Sequence, residues 1–139
     1  ANDVLIFKNN SSGSSLSFTE VKSLPTDQRP GAFNFGDLNG DGKTDIIATC
    51  INGDKLTNTG TVNLTLFSNA GSFNFTASSI ATPTLTRYTS IADIDRDGKP
   101  DINFISIDDA NKVSQKFSVI RNNTCMVPQL LPTDPAKLT

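Results

Sequence analysis

The sequence predicts an all-β fold built from repeated units of four antiparallel strands. Two observations carry this prediction. Short runs alternate apolar with polar residues, and an acidic loop occurs twice at the same place between such runs. Strict alternation is typical of strands with one buried face, and no segment sustains a helical period. A motif that returns at a fixed distance indicates a repeat architecture, in which each unit buries its core against its neighbours.

The strand runs divide the chain into about two and a half units. Residues 1–28 contain the third and fourth strands of a unit, "VLIFKNN" and "SLSFTEV". Residues 29–82 contain a complete unit: "AFNFGDL", "TDIIATCI", "VNLTLFSN" and "SFNFTASSI". Residues 83–124 contain the first three strands, "YTSIADI", "DINFISI" and "QKFSVIRN". Residues 125–139 carry three prolines and are predicted to form an extended linker.

Composition excludes several classes of function. The chain has 139 residues, a formal net charge of −2 and no histidine. It therefore has no basic surface for nucleic acid, and it lacks the commonest general base and transition-metal ligand. No run is long and apolar enough to predict a membrane span. Cys50 and Cys125 fit no zinc spacing, so a disulfide or two separate thiols both stay open.

The acidic loop is the most informative motif. The pattern D-x-[DN]-x-D-G-x-x-D occupies residues 37–45 and again 93–101, and the two copies begin 56 residues apart. The two loops hold seven of the 14 acidic residues. Oxygen atoms at positions 1, 3, 5, 7 and 9 of a tightly coiled loop suit Ca²⁺, and Gly at position 6 permits the sharp turn. The motif therefore predicts two calcium sites.

Three other interpretations of the loop fit the sequence less well. An EF-hand needs a bidentate Glu at position 12, where this chain has Ala48 and Phe104, and it needs flanking helices. A solvated turn that binds no metal is the plainer alternative, but two copies at matching positions count against it. Catalysis by paired carboxylates is not expected either, because acids that surround a cation are neutralised by it. We expect no enzymatic activity.

Together the segments "FNFGDLNGDGKTDIIA" and "TSIADIDRDGKPDINFI", with third strands such as "VIRNN", resemble the FG-GAP/VCBS-type calcium-binding repeats of integrin-α-like β-propellers. The resemblance covers about residues 1–124. It implies four-stranded antiparallel blades of an incomplete β-propeller, since two and a half blades cannot close a ring. It also implies two structural Ca²⁺ ions, each held in the loop between the first two strands of a blade. The implied metal ligands are Asp37, Asn39, Asp41, the Lys43 carbonyl and Asp45 in the first loop, and Asp93, Asp95, Asp97, the Lys99 carbonyl and Asp101 in the second.

The function expected from this resemblance is that of a secreted or cell-surface binding and adhesion module. Its partners would be other blades of the same propeller or of another chain, and a protein or glycan ligand on the cell surface. The chain would then be an oligomer or a piece of a larger protein. Three alternatives stay open: a carbohydrate-binding propeller, a structural subunit that pairs blades between chains, and a noncatalytic propeller attached to an enzyme.

Two finer predictions concern affinity and packing. Asn39 stands where the second loop has Asp95, so the first loop should bind Ca²⁺ more weakly. Phenylalanines that alternate with polar residues should pack between blades, not form a ligand platform. They are Phe33, Phe35, Phe67, Phe73, Phe75, Phe104 and Phe117.

Overall fold

The computed structural model describes residues 2–26, 29–54, 59–82, 85–107 and 115–124. Within these ranges the secondary structure consists of strands joined by turns, and no helix is present. Accordingly, no described segment is a helix with the length and hydrophobicity to cross a bilayer. The strands are β1 (Asp3–Asn9), β2 (Phe18–Pro25), β3 (Arg29–Gly36), β4 (Asp45–Asp54), β5 (Thr59–Asn69), β6 (Phe75–Ala81), β7 (Leu85–Ala92), β8 (Asp101–Ile107) and β9 (Gln115–Ile120).

All strand pairs are antiparallel and join neighbours in the sequence. The first sheet has the order β1-β2, the second β3-β4-β5-β6 and the third β7-β8-β9. The all-β prediction is confirmed, and the strands group in twos, fours and threes as the repeated motifs indicate. None of the three sheets closes on itself. The division at residues 28, 82 and 124 stays a prediction, and residues 125–139 lie outside the described part of the chain.

The second sheet is buried on both faces because it lies between the other two. Strand β4 shows this most clearly, since its residues alternate between two hydrophobic clusters. Ile46, Ala48 and Cys50 pack in the first cluster, against Val4 and Leu24 of the first sheet. The other face of β4 contributes Ile47 to a second cluster, which includes Leu64 of β5 and Ile102 of the third sheet. The continuous apolar run "IIATCI" is therefore explained by a strand buried from both sides.

Polar contacts also join the second and third sheets. The Asn34 side-chain amide donates to the Thr89 hydroxyl at 2.6 Å, and the Thr49 hydroxyl lies 3.3 Å from the same atom. Gly36 ends β3 beside Ile91, where an added Cβ would come within 3.0 Å of the isoleucine side chain. The absence of a side chain at Gly36 thus allows the two sheets to approach closely.

The prediction that all seven phenylalanines pack between blades is only partly correct. Phe67 and Phe104 are buried, and Phe75 is partly buried against the first cluster. Phe33, Phe35, Phe73 and Phe117 are exposed, with Phe35 and Phe117 each 64% accessible. Phe33 and Phe35 lie on the side of the second sheet that the first sheet covers, because they pair with Ala48 and Ile46. Strand β1 approaches β3 at only a few residues, which leaves these side chains open to solvent. The sequence pattern of β3 assigns the face but does not report how closely the neighbouring sheet approaches.

Candidate metal centre

Each acidic loop connects two paired strands, β3 to β4 and β7 to β8. The glycines at position 6, Gly42 and Gly98, have positive φ values of 79° and 85°, as the sharp turn requires. Position 4 is also left-handed in both loops, where Gly40 has φ 74° and Arg96 has φ 62°. The two loops therefore have the same backbone conformation at these positions, although position 4 is arginine in the second loop and glycine in the first.

The first-position aspartates organise the loops by accepting backbone hydrogen bonds. Asp37 accepts from the N–H groups of Gly40 and Asp41 at one oxygen and from Gly42 at the other, at 2.8–3.1 Å. In the second loop Asp93 accepts equivalent bonds from Asp97 and Gly98. The carboxylate at position 1 thus holds the loop closed around itself, which points backbone donors toward it and leaves further lone pairs for a cation.

The ninth-position aspartates are buried and join three parts of each unit. One oxygen of Asp45 accepts from the Leu38 N–H at 3.0 Å, and the other accepts from the Asn69 N–H at 2.8 Å. Asp101 repeats this arrangement with Ile94 and Asn122, at 3.0 and 2.9 Å. Each carboxylate therefore connects the start of its loop to the end of the third strand of the same sheet.

The pKa of the Asp101 carboxyl lies below its ordinary value. The hydrogen bond from the Asn122 N–H is the largest cause, and the bond from the Ile94 N–H is the next. Both bonds stabilise the ionised form, because a carboxylate accepts hydrogen bonds more strongly than a neutral acid does. These hydrogen bonds therefore favour the ionised form of this buried acid.

An asparagine at or just after the end of each third strand has a structural role that the loop motif does not include. Asn9, Asn69 and Asn122 occupy equivalent places, and the side-chain oxygen of each accepts the N–H of the residue two positions later, at 2.8–3.1 Å. The Asn69 and Asn122 side-chain amides also donate to the carbonyl that precedes the ninth-position Asp, at 3.1 Å in both units. Recurrence of Asn at the end of three apolar runs was the signal that could have revealed this role.

The acids of the second loop come close enough to hold one metal ion. Carboxylate oxygens of Asp93, Asp95 and Asp101 all lie within 4.8 Å of one another, and this is the one such acidic group in the described part of the chain. Oxygen ligands at 2.3–2.6 Å from one Ca²⁺ can be at most about 5 Å apart, so the separation fits a shared cation. Three hard oxygen donors suit Ca²⁺ better than a transition metal. The remaining predicted ligands of this loop, Asp97 and the Lys99 carbonyl, lie outside this group.

Both loops bring a basic side chain against their carboxylates. In the second loop the Arg121 guanidinium, from the end of the third strand, forms ion pairs with Asp95 and Asp97. Its hydrogen bond to Asp95 is the main cause of the raised pKa of Arg121. In the first loop the Lys43 ammonium lies 2.9 Å from Asp41, and this hydrogen bond is the main cause of the lowered pKa of Asp41. Each loop therefore holds one side-chain cation against its carboxylates.

Comparison with known proteins finds a family match over the part of the chain that contains the first acidic loop. Residues 1–48, which extend from β1 through the first acidic loop into β4, match the model of the FG-GAP-like repeat. The match supports an FG-GAP-type repeat in this segment. The match ends before the second loop, so the likeness of that loop to an FG-GAP repeat rests on its shared spacing and hydrogen bonds. No curated protein and no solved structure matched the chain significantly.

Proposed function

We propose that the chain is a calcium-stabilised, extracellular module of the β-propeller type, whose stacked blades display loops for binding and adhesion. The main support is that oxygens of Asp93, Asp95 and Asp101 lie within 4.8 Å of one another in the second loop. The first loop, which has the same motif, lies in the segment that matches the FG-GAP-like repeat. In this proposal the sheets are blades, and the metal has a structural role, because each loop lies between two paired strands. The residues that would hold it are Asp37, Asn39, Asp41, the Lys43 carbonyl and Asp45, then Asp93, Asp95, Asp97, the Lys99 carbonyl and Asp101.

Charge supports the structural role of the ion. Four aspartates crowd the second loop within nine residues, and their mutual repulsion opposes closure of the turn. A divalent cation would remove that repulsion and would favour the folded hairpin over the unfolded chain. At a Ca²⁺ concentration one hundred times the dissociation constant, each site would add about 2.7 kcal/mol to the free energy of unfolding. Calcium sites of extracellular modules typically have dissociation constants of about 10⁻⁴–10⁻³ M, and the proposal therefore places the protein outside the cell.

A metal-dependent change in melting temperature tests the proposal. Thermal unfolding is followed in millimolar Ca²⁺, in Mg²⁺ and in EGTA, for the wild type and for the double variant D93N/D95N. The wild type should melt several degrees higher in Ca²⁺ than in EGTA, and the double variant should lose much of that difference. The matched control is D3N, an exposed acid on β1 outside both loops. A wild type that melts at the same temperature in Ca²⁺ and EGTA would refute the calcium role.

The carbohydrate-binding alternative depends on a cleft between the second and third sheets. This cleft has a volume of about 270 Å³ and is lined by apolar side chains such as Leu66, Ile80 and Ile120, with Asn39 and Asn123 among its polar residues. An apolar lining favours sheet packing over sugar recognition, which needs many placed hydrogen-bond partners. The binding-and-adhesion proposal therefore stands first, and binding on a glycan array would reverse that order.

A further inference from the structure

A chain of hydrogen bonds runs from the first acidic loop to the second through Asn122. In the first loop, Leu38 donates its N–H to the buried carboxylate of Asp45 at 3.0 Å. The Leu38 carbonyl accepts the side-chain amide of Asn122 at 2.7 Å. The backbone N–H of Asn122 then donates to the buried carboxylate of Asp101, in the second loop, at 2.9 Å. Leu38 and Asn122 therefore connect the ninth-position carboxylates of the two loops.

The orientation of the Asn122 amide is fixed by its neighbours. Its side-chain oxygen accepts the N–H and the hydroxyl of Thr124 at 3.1 and 2.7 Å. Its NH₂ group faces two carbonyls, those of Leu38 and Pro100, at 2.7 and 3.1 Å. A carbonyl oxygen accepts hydrogen bonds and cannot donate them, so the amide nitrogen must point toward these two groups. One amide hydrogen is thus used within the second loop and the other is used on the first loop.

Asn69 occupies the equivalent place in the second sheet and shows which of these contacts is additional. Its backbone N–H donates to Asp45 at 2.8 Å, and its side-chain amide donates to the Thr44 carbonyl at 3.1 Å. Asn122 makes the same two kinds of bond within its own unit. The bond from Asn122 to Leu38 joins two units instead, across 84 positions of the sequence. This bond therefore gives Asn122 a role that the repeat motif alone does not require.

Leu38 transmits the position of the first loop because three of its groups are held at once. Its N–H and its carbonyl belong to the hydrogen-bond chain. Its side chain is only 5% exposed and packs in the second hydrophobic cluster, which also contains Ile102. Ile102 directly follows Asp101 of the second loop. Because close-packed groups transmit displacement, a movement of Leu38 must either break a hydrogen bond or shift its neighbours in the third sheet.

We propose that Asn122 is a positioning residue that couples the ordering of the two acidic loops. An ordered first loop presents the Leu38 carbonyl, which holds Asn122 where its N–H meets Asp101. A cation that orders one loop then lowers the cost of ordering the other, since part of that ordering is already complete. Coupling of this kind is reciprocal, so Ca²⁺ in either loop should favour Ca²⁺ in the other. The effect on Ca²⁺ rests on the proposed calcium role, whereas the coupling of the loops needs no metal.

Amide hydrogen exchange in EGTA tests the coupling without metal. The reporter is the Ile94 N–H, which donates to Asp101 in the second loop at 3.0 Å. D45A removes both hydrogen bonds of the first-loop carboxylate, and D45N is a milder second variant. In the wild-type background D45A should speed exchange at Ile94 by about fivefold, the lower end of typical coupling between sites, and D45N should act in the same direction. In the N122A background neither change should affect Ile94.

N69A is the matched control for N122A. It removes the same kinds of side-chain bond within one unit, but Asn69 donates to no group of the second loop among the described residues. The effect of D45A on Ile94 should therefore persist in the N69A background. Strand amides of β8 report global unfolding. Three results would overturn the proposal: unchanged exchange at Ile94 in D45A, equal acceleration in β8, or an effect that survives N122A.

The same exchange experiment with Ca²⁺ tests the effect of the ion. The variant D93N/D95N leaves only the first loop able to bind, and calorimetric titration measures that binding. Saturation of the first loop should slow exchange of the N–H of residue 122 by about fivefold, and N122A should abolish this slowing. Binding without slowing would contradict the coupling. No binding by either loop of the wild type would refute the calcium role, while the Ile94 experiment in EGTA would still decide whether the loops are coupled.

Discussion

Replacement of Asp45 by Asn separates the structural role of this residue from any role in metal binding. Asp45 is fully buried, and its two oxygens accept the N–H groups of Leu38 and Asn69 at 3.0 and 2.8 Å. The amide of Asn keeps one acceptor and turns an N–H₂ group toward the other donor. One charge-assisted hydrogen bond is lost, and the free energy of unfolding should fall by about 1.5–3 kcal/mol. Urea denaturation in EGTA measures this loss with calcium absent.

The matched control makes the same chemical change at Asp95, in the second loop. Asp95 is exposed, and among the described residues its carboxylate accepts the Asp97 N–H within the loop and pairs with Arg121. D95N should therefore change the stability in EGTA by no more than about 0.5 kcal/mol, as surface substitutions do. A larger loss of stability in D95N should appear only when Ca²⁺ is present. A D45N protein as stable as the wild type in EGTA would refute the assignment of Asp45 as a metal-independent anchor.

Three further predictions follow from the second loop. R121S removes the guanidinium cation that competes with Ca²⁺ for the carboxylates, and it introduces serine, the residue at the equivalent place in the first unit (Ser68). Calorimetric titration should show a Ca²⁺ affinity about two- to fivefold higher. Unchanged affinity would contradict the competition. Arg96 has a left-handed backbone conformation at the place that Gly40 occupies in the first loop, and R96G removes the steric cost of a side chain there. Urea denaturation of R96G should show about 1 kcal/mol of added stability, whereas R96A should show none. Because the pKa of Asp101 is lowered in the folded state, the stabilisation by this carboxylate is present above the unfolded pKa of about 4 and is lost as the pH falls through the folded pKa. Denaturation midpoints in EGTA should decline below about pH 4 in the wild type and more gently in D101N. An identical dependence of the midpoint on pH in both proteins would count against Asp101 as an anchor.

The regular parts of the fold could be predicted from the sequence because they depend on local pattern. Alternation in "VNLTLF" and "SFNFTA" indicated the third and fourth strands, and those segments lie in β5 and across the turn into β6. The positive φ values of Gly42 and Gly98 agree with the turn that the loop motif requires. Such features need only the residues within one hairpin.

The features that escaped prediction depend on distant parts of the chain. The anchoring role of Asp101 needs the N–H of Asn122, 21 residues later, and no spacing rule within the loop includes it. Arg121 contacts the same loop from the end of β9 and adds a competing cation that the motif does not contain. Whether a phenylalanine is covered depends on how closely the neighbouring sheet approaches its strand, so Phe35 and Phe67 differ in burial although both alternate with polar residues. The metal ligands themselves remain predictions.

The nearest-neighbour order of the three sheets bears on how the molecule can be assembled and enlarged. Every described strand pairs with a sequence neighbour, and among the described residues each sheet packs on the sheet that precedes or follows it. Contacts within each hairpin are short in sequence, so each hairpin can form as soon as its residues leave the ribosome, whereas contacts between sheets form later. Gene duplication of one unit would lengthen the array without disturbing any contact elsewhere, since the added sheet brings its own pair of matching surfaces.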